Sequence, residues 1–431
     1  MLDQIKNVLL QMNTIDGWLI EEKRTQSEEL FLIVDKIDMN RAKDVTKYAV
    51  TVFVDHGEDR CFRGSSKVTL LPGMDQEEIK IKLDESAYAA SFVKNKTYPL
   101  VSPEASVQTA SVSSFSKKDL AQWLPELIDA LYKEDKLSMT TINSSEVFII
   151  HHTIRIMNSK GVDVSYDNYN VEVEVIIDST AGPDAVEMFD VLSFSEFNPH
   201  EIASEVSRLL IACEDRARAL PTPSITVPVV LTQEAVKRFL SFYIEKSDAQ
   251  MVYEGVSQWK IGMPVQGDEV RGDLITATLL KHLDNSPDQA PYDQHGKALK
   301  DTVVIEDGIL KTMHGTTQYS HYLGVEPTGR MRNLSIAPGR NSEADWLSKP
   351  HIKCVSFSDF QLNPVTGDFG GELRLAYYFD GSTTKAVTGG SISGNVGKIH
   401  DEIYLSSELR QNSSFIGPKS VMIPKLTIAG T

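Results

Sequence analysis

The chain has 431 residues, 41% of them apolar and 24% charged, and a formal charge of −17. Such a length exceeds one ordinary hydrophobic core and implies two or three domains, and the composition excludes global disorder. The acidic balance argues against direct contact with nucleic acid, whose phosphates would demand a basic face, and no apolar run reaches the ~20 residues that would cross a bilayer.

Taken in chain order, residues 1–12 predict a short amphipathic helix, with no basic stretch leading into an apolar run and so no signal peptide expected. Segments 28–35, 46–55 and 60–71 are rich in Val, Ile, Phe and Thr and predict strands. Residues 75–93 predict a helix with an acidic start. Residues 98–115 have the Pro, Ser, Thr and Ala content of a linker with little to pack. Ser116 and Asp119 form an S-x-x-D pattern, expected to cap a helix over 119–133. Strands are predicted at 146–157, 161–178 and 184–194, with a tight turn at Asn158-Ser159-Lys160-Gly161. A helix over 199–218 would place Ile202, Val206, Leu209, Leu210 and Cys213 on one face, which makes Cys213 a core residue.

Pro221, Pro223 and Pro228 mark a boundary, after which Thr232 is expected to cap a helix reaching about residue 247. The remainder is rich in Gly, Thr and alternating patterns, with Asp307-Gly308 a hairpin turn and 361–371 linking two strands. The expected class is α+β. Its N-terminal mixed α/β part falls in two segments, 1–97 and 116–220, separated by the 98–115 linker. A β-dominated C-terminal domain covers 221–431.

The search for chemistry returns absences. Cys61, Cys213 and Cys354 are widely spaced, with no C-x-x-C pair, and fit reduced thiols in a cytoplasmic protein. His200-Glu201 resembles the start of HExxH, but positions 204 and 205 are Ser and Glu, so two imidazoles cannot meet one zinc. His400-Asp401-Glu402 also lacks a following His. His151 and His152 are strand neighbours that point to opposite faces, one expected buried and one exposed. No nucleophile elbow, Walker A or dinucleotide fingerprint occurs. Gly389 to Asn395 could cradle a phosphate, but close backbone approach between strands is the favoured account of it. Asp293 and Glu306 have no special claim on spacing alone.

Ordered landmarks over some 270 residues nevertheless resemble one family. These are the Asn158-Ser159-Lys160-Gly161 turn, Pro291 to Gly296 with Asp293, and the Val304 to Leu310 hairpin with Gly308. Tyr319 to Gly324, Thr328-Gly329-Arg330, Ile392-Ser393-Gly394-Asn395 and the tail Pro424 to Gly430 complete the set. Together they resemble the TldD/PmbA family, also called modulators of DNA gyrase, whose activity is proteolysis. The resemblance implies that a TldD-type chain carries zinc on an HExxxH helix with a late cysteine. It pairs with a TldE/PmbA-type chain that lacks the metal, and together they enclose a chamber for unfolded peptides.

Val229 to Ala235 resembles the entry to that metal helix, and the next positions should read H-E-x-x-x-H. They read Ser241-Phe242-Tyr243-Ile244-Glu245-Lys246, residues 229–281 contain no His, and no Cys follows Cys354; the tail offers Ser413 and Ser414. A hydroxyl is a poor zinc ligand, phenylalanine cannot accept a proton, and a lysine ammonium repels a cation. The resemblance therefore points to the TldE/PmbA type, with no catalytic or metal-binding residue on this chain and zinc on a TldD-type partner. Asn158, Ser159, Gly161, Asp293, Gly296, Gly308, Gly329, Gly394 and Asn395 are expected to be structural. The expected partners are a TldD-type subunit, unfolded peptide and, in isolation, a second copy; nucleic acid and membrane are not expected. Alternatives are a stand-alone peptidase with atypical ligands and a protein-binding regulator of gyrase.

Overall fold

Long alternating strands dominate the first half of the computed structural model, which describes residues 1–104 and 113–431. Helix α1 (Leu2–Gln11) leads into β1 (Gly17–Ile33), β2 (Lys36–His56) and β3 (Phe62–Leu70), then α2 (Gln76–Ala90) and the short β4 (Asn95–Lys96). Helix α3 (Leu124–Tyr132), strands β5 (Thr140–Asn158), β6 (Asp163–Ser179) and β7 (Val186–Phe194), and helix α4 (Pro199–Ala217) follow. The two N-terminal segments share one seven-stranded sheet, ordered β4-β3-β2-β1-β5-β6-β7, because β1 pairs with β5 along fifteen residues.

One face of this sheet carries two separate helical layers. Helices α1 and α2 cover Trp18, Ile20, Val50 and Val52 at one end, and α3 and α4 cover Leu30, Val147, Val173 and Val175 at the other. Ile202, Val206, Leu209, Leu210 and Cys213 are all buried on α4, as the helical spacing requires. Burial raises the Cys213 thiol to about 11, which leaves it inert at neutral pH.

Several expectations need correction. Strand β1 begins at Gly17 rather than near 28, and β2 at Lys36 rather than 46. Ser116 caps nothing: its hydroxyl donates to the Ser113 carbonyl, two short 3-10 turns occupy Ser114–Lys117 and Leu120–Trp123, and α3 starts at Leu124. Of the expected linker, 105–112 lies outside the described residues. Its far end does pack, since Phe115 is fully buried with its ring 5.0 Å from Trp123 and 6.3 Å from Phe194. His151 and His152 are both half-buried. His151 stacks 4.3 Å from Tyr169 and its Nε2 lies 2.8 Å from Asp167; His152 meets Thr25 at 3.1 Å. Burial is the main cause that holds His152 down at about 4.

In the C-terminal half, β8 (Leu220–Pro221) and β9 (Ile225–Thr232) precede α5 (Glu234–Lys246) and α6 (Ala249–Tyr253). Pro228 thus lies inside a strand rather than at its border. Then come β10 (Ala277–Leu280), β11 (Thr302–Glu306), β12 (Ile309–Leu310), α7 (Thr317–Leu323), β13 (Asn333–Ile336) and α8 (Glu343–Leu347). The chain ends with β14 (His351–Leu362), β15 (Asp368–Phe379), β16 (Thr384–Thr388), β17 (Ser391–Asn395), β18 (Tyr404–Leu405), β19 (Leu409–Asn412), β20 (Phe415–Pro418) and β21 (Ser420–Ala429).

One C-terminal sheet runs β12-β11-β10-β13-β20-β19. The other runs β14-β9-β21-β17-β15-β16-β8, and its β14 also pairs with β15, so five of its strands close into a ring. A single core joins both sheets to α5 through Phe239, Leu240 and Tyr243. The fold class is α+β, with α1 to α4 packed on the N-terminal sheet and a β-rich C-terminal part that carries α5 to α8.

Candidate functional site

Strand β9 is buried over Val229, Val230 and Leu231, running parallel to β14 and antiparallel to β21. It hands over to α5 through Gln233, whose backbone sits at φ 58°, ψ −137°, a region that strains any side-chain-bearing residue. The expected Thr232 cap does not form: the Thr232 hydroxyl donates to the Cys354 carbonyl at 2.7 Å, across to β14.

The three positions expected to resemble a degenerate metal motif all lie on α5. Ser241 is half-buried, and its Oγ is 2.9 Å from both the Arg238 carbonyl and Glu245 Oε1. Phe242 is buried, edge-on to Tyr243 at 5.5 Å and to Trp259 at 6.1 Å. The Lys246 ammonium donates to the Val365 carbonyl at 2.8 Å and lies 5.9 Å from the Phe242 ring centre. Burial pulls Lys246 below its ordinary range, and burial likewise raises the Tyr243 hydroxyl and the Cys354 thiol.

A turn over 363–368 closes this side of the helix. Asn363 Oδ1 accepts from Val365 N and Thr366 N, and Gly367 sits at φ 80°. A Cβ on Gly367 would meet Phe242 Cε2 at 3.4 Å. Asn395 pins the same turn, donating to Thr366 O at 2.9 Å and Asp368 Oδ1 at 2.7 Å. Gly394 lets its strand lie on Phe369, where a Cβ would fall 2.5 Å from the ring, and Phe369 in turn stacks edge-on to Phe239 of α5. The Gly389–Asn395 stretch is thus a place of close backbone approach: a Cβ on Gly390 would lie 2.3 Å from the Ala429 carbonyl.

A second group of motif residues meets at the seam between the N-terminal sheet and the C-terminal part. Asn158 is buried and shapes its turn: Oδ1 accepts from Lys160 N and Val162 N, and Nδ2 donates to Val101 O at 2.7 Å. Ser159 Oγ accepts from Trp18 N, and Gly161 takes φ 95°. Gly296 comes so close that a Cβ would lie 2.6 Å from Val162 Cγ1. Asp293 Oδ1 accepts from His295 N and Lys297 N, and Gly329 packs on Leu299 and Asp293. Asp307 and Gly308, both at positive φ, form the hairpin turn, while Glu306 is exposed and pairs with Lys311 at 3.1 Å. Asn158→Ala should cost about 2 kcal/mol by stranding two buried partners, the Val101 carbonyl and the Val162 N–H, and releasing the Lys160 N–H. Urea unfolding of the intact chain would measure it, and a change below a tenth of that would show the turn does not depend on this side chain.

Beside the first two turns of α5 lies a cleft of about 680 Å³, lined by β7, α4, β14 and β19. Its floor is apolar, with Phe194, Ile202, Leu209, Val355 and Phe360. Its cations are engaged: Arg208 with Asp190 and Glu205, Arg410 with Glu205, Arg238 with Glu234, and Lys237 with Ser414 Oγ. Desolvation is the larger effect on Asp190 and lifts its carboxyl above the usual range. Three residues at positive φ line this one cleft, Gln233, Asn285 and Ser413. Among the described residues, no three His, Cys, Asp or Glu side chains converge at metal-binding distances. The residue pattern placed the link between β14 and β15 at 361–371 but not its closure over α5, and nothing in it marked the cleft, because both of these depend on contacts more than 100 residues apart.

His200 opens α4 and His400 sits in a short 3-10 turn. No sequence pattern marked His314, which is buried under the end of α5 and donates from Nε2 to the Ile244 carbonyl at 2.9 Å. Burial lowers its pKa and favours the neutral ring.

No helix is long and apolar enough to cross a membrane among the described residues. The structure resembles TldE from Thermococcus kodakarensis, with TM-score 0.80 and 16% identity, covering 99% of this chain and 100% of that one. It also resembles a proposed modulator of a DNA gyrase from Thermotoga maritima, with TM-score 0.78, 19% identity and full coverage of both chains. Among sequence relatives, an uncharacterized protein of Methanocaldococcus jannaschii is 22% identical over 62% of this chain and 65% of its own length. A zinc metalloprotease TldD homolog of Saccharolobus solfataricus is 25% identical over 42% of this chain and 44% of its own. The matched segments therefore span less than two thirds of these relatives. The PmbA/TldA metallopeptidase central-domain profile matches residues 110–214 and the C-terminal-domain profile matches 224–430. With both of its signature domains present in order over most of its length, and with the fold to match, the chain belongs to the PmbA/TldD metallopeptidase family.

Proposed function

We propose that this chain is a TldE/PmbA-type subunit that holds no catalytic zinc of its own and works in the cytoplasm beside a TldD-type zinc peptidase acting on unfolded peptides. The observation that carries this reading is Phe242. The position where the family's general base would stand holds an aromatic ring packed into the core and roofed by the 363–368 turn. The flanking positions offer a hydroxyl turned to its own helix and an ammonium bonded to a carbonyl. That donor set does not fit zinc, which takes imidazole, thiolate or carboxylate. The neighbouring cleft, with its apolar floor and the strand β7 along its side, suits an extended peptide segment presented to the partner.

The purified chain, even after incubation with zinc and dialysis, should retain less than about a tenth of an equivalent by elemental analysis. It should not hydrolyse unfolded casein alone. Mixed with a TldD-type chain from the same source it should co-elute and raise that chain's peptidase activity. Stoichiometric zinc with chelator-sensitive hydrolysis by the chain alone would replace this reading with a stand-alone peptidase. Failure to associate would remove the partner role.

A further inference from the structure

We propose that this chain holds the free C-terminal carboxylate of a peptide, one whose last residue is apolar, in a cation-lined pocket adjoining the cleft. The inference rests on the peptide reading of that cleft and adds which end of the peptide the chain takes. The pocket encloses about 410 Å³, within the ~300–1,000 Å³ of small-ligand sites. It shares Arg208, Ala212, Thr232, Gln233 and Val355 with the cleft, so the two cavities adjoin.

Two surfaces build the pocket. On α4, Ser204, Ser207, Arg208 and Ile211 lie three or four residues apart and share a face. Opposite them, Lys353 and Val355 of β14 line the wall, and Tyr377 of β15 pairs directly across from Lys353. Lys419 joins them from the residue before β21. Gln233, with its strained backbone at φ 58°, stands where the two cavities meet.

The charges point to an anion. Three cations line the pocket, Arg208, Lys353 and Lys419, and no carboxylate does, in a chain with 60 acidic and 43 basic residues. Their partners do not balance them. Glu343 divides its two oxygens between Lys353 and Lys419, and Glu205 serves both Arg208 and Arg410. Asp190 adds a contact to Arg208 at 3.5 Å. Among the described residues, four cations within salt-bridge reach thus meet three carboxylates, one short of balance. The Arg208 and Lys353 side chains are only 28% and 22% exposed, so water compensates them poorly. An ammonium has three donors and a guanidinium five, which leaves N–H groups for one more carboxylate.

The rest of the wall selects the source of that carboxylate. Ile211 is 52% exposed beside Val355 and the ring of Tyr377, whose hydroxyl is committed to Asp215 at 2.5 Å. A C-terminal apolar residue carries a carboxylate and an apolar side chain on one Cα and meets both surfaces. An acidic side chain brings the charge alone, and so does an inorganic anion.

The test is fluorescence anisotropy on the full chain with three labelled eight-residue peptides. One ends in leucine as the free acid, one in leucine amide and one in glutamate amide. The free acid should bind about ten-fold tighter than either amide. Ser204 is exposed on the pocket face of α4, so Ser204→Glu should erase that preference without changing the melting temperature. Lys419→Gln should shrink it about three-fold. Equal affinity for leucine acid and leucine amide would overturn the proposal and leave the peptide reading of the cleft standing. A glutamate amide as tight as the leucine acid would assign the pocket to acidic side chains and overturn it too. So would a preference that survives both substitutions, which would place the carboxylate elsewhere. No binding of any of the three peptides would overturn this proposal and the peptide reading together, while co-elution with a TldD-type chain is measured separately.

Discussion

Replacing Phe242 with glutamate, the residue the family's metal motif would carry there, is expected to cost about 3–5 kcal/mol of stability. The ring is 5% exposed and fills the space between Tyr243, Trp259 and the Gly367 backbone. Glutamate removes most of that apolar contact and brings a carboxylate into the same space. Lys246 offers partial compensation, but its ammonium is already committed to the Val365 carbonyl. Ser241→His, by contrast, changes a half-buried side chain whose bonds stay within its own helix, and should cost no more than about 0.5 kcal/mol. The asymmetry has meaning for function. If position 242 merely lacked a glutamate, restoring it would be nearly neutral; a large penalty shows that the roof over α5 has been rebuilt around the ring. Guanidinium unfolding of both single variants at pH 7 separates the cases, and a Phe242→Glu loss below about 1 kcal/mol would mean the site still has room for a base.

How far the sequence could be read follows the same division between local and distant contacts. Helix α4 was legible because its buried residues repeat at helical spacing and nothing distant interferes. The first half of β1 was not, because Glu21 to Gln26 is polar on both faces. That stretch crosses the gap between the two helical layers, where Arg24 pairs with Asp44 and His151 stacks on Tyr169 instead of packing an apolar core. Two capping patterns misled for one reason: the hydroxyls of Ser116 and Thr232 found other carbonyls, the second one 122 residues away. At the site, the helix expected up to about residue 247 is α5, and the motif residues Gly394 and Asn395 lie beside it. That Asn395 pins the turn roofing Phe242 could not be read, because no spacing rule joins residues 246, 365 and 395. The cleft escaped for the same reason, being assembled from β7, α4, α5, β14 and β19.

Removing the Glu343 carboxylate should be the other costly change, and it carries a pH signature. Glu343 opens α8, is 5% exposed, and meets the ammonium groups of Lys353 and Lys419 at 2.9 Å each while accepting from the Ser420 hydroxyl. It thereby ties α8 to β14 and to the start of β21, the strand that flanks β9. Glu343→Ala strands the buried Ser420 hydroxyl and the mostly buried Lys353, at a cost of about 2–4 kcal/mol, the more exposed Lys419 adding little. Burial by itself would raise the Glu343 pKa, but the hydrogen bonds from Ser420, Lys419 and Lys353 outweigh it and hold the carboxyl below the ordinary range. Glu408, bonded to the Ser342 hydroxyl and the Glu343 N–H, is held down at about 2. A carboxyl with a lowered folded-state pKa contributes fully above its unfolded value and loses that contribution as the pH falls through the folded one. Wild-type stability should therefore hold from pH 7 to about 5 and decline below about pH 4.3, where unfolded glutamates begin to take up protons. The Glu343→Ala chain should start lower and decline less steeply over the same interval, since one of the two linked carboxyls is gone. Parallel slopes in urea titrations at pH 7, 5 and 4 would mean the charge on Glu343 is immaterial and only its packing anchors α8.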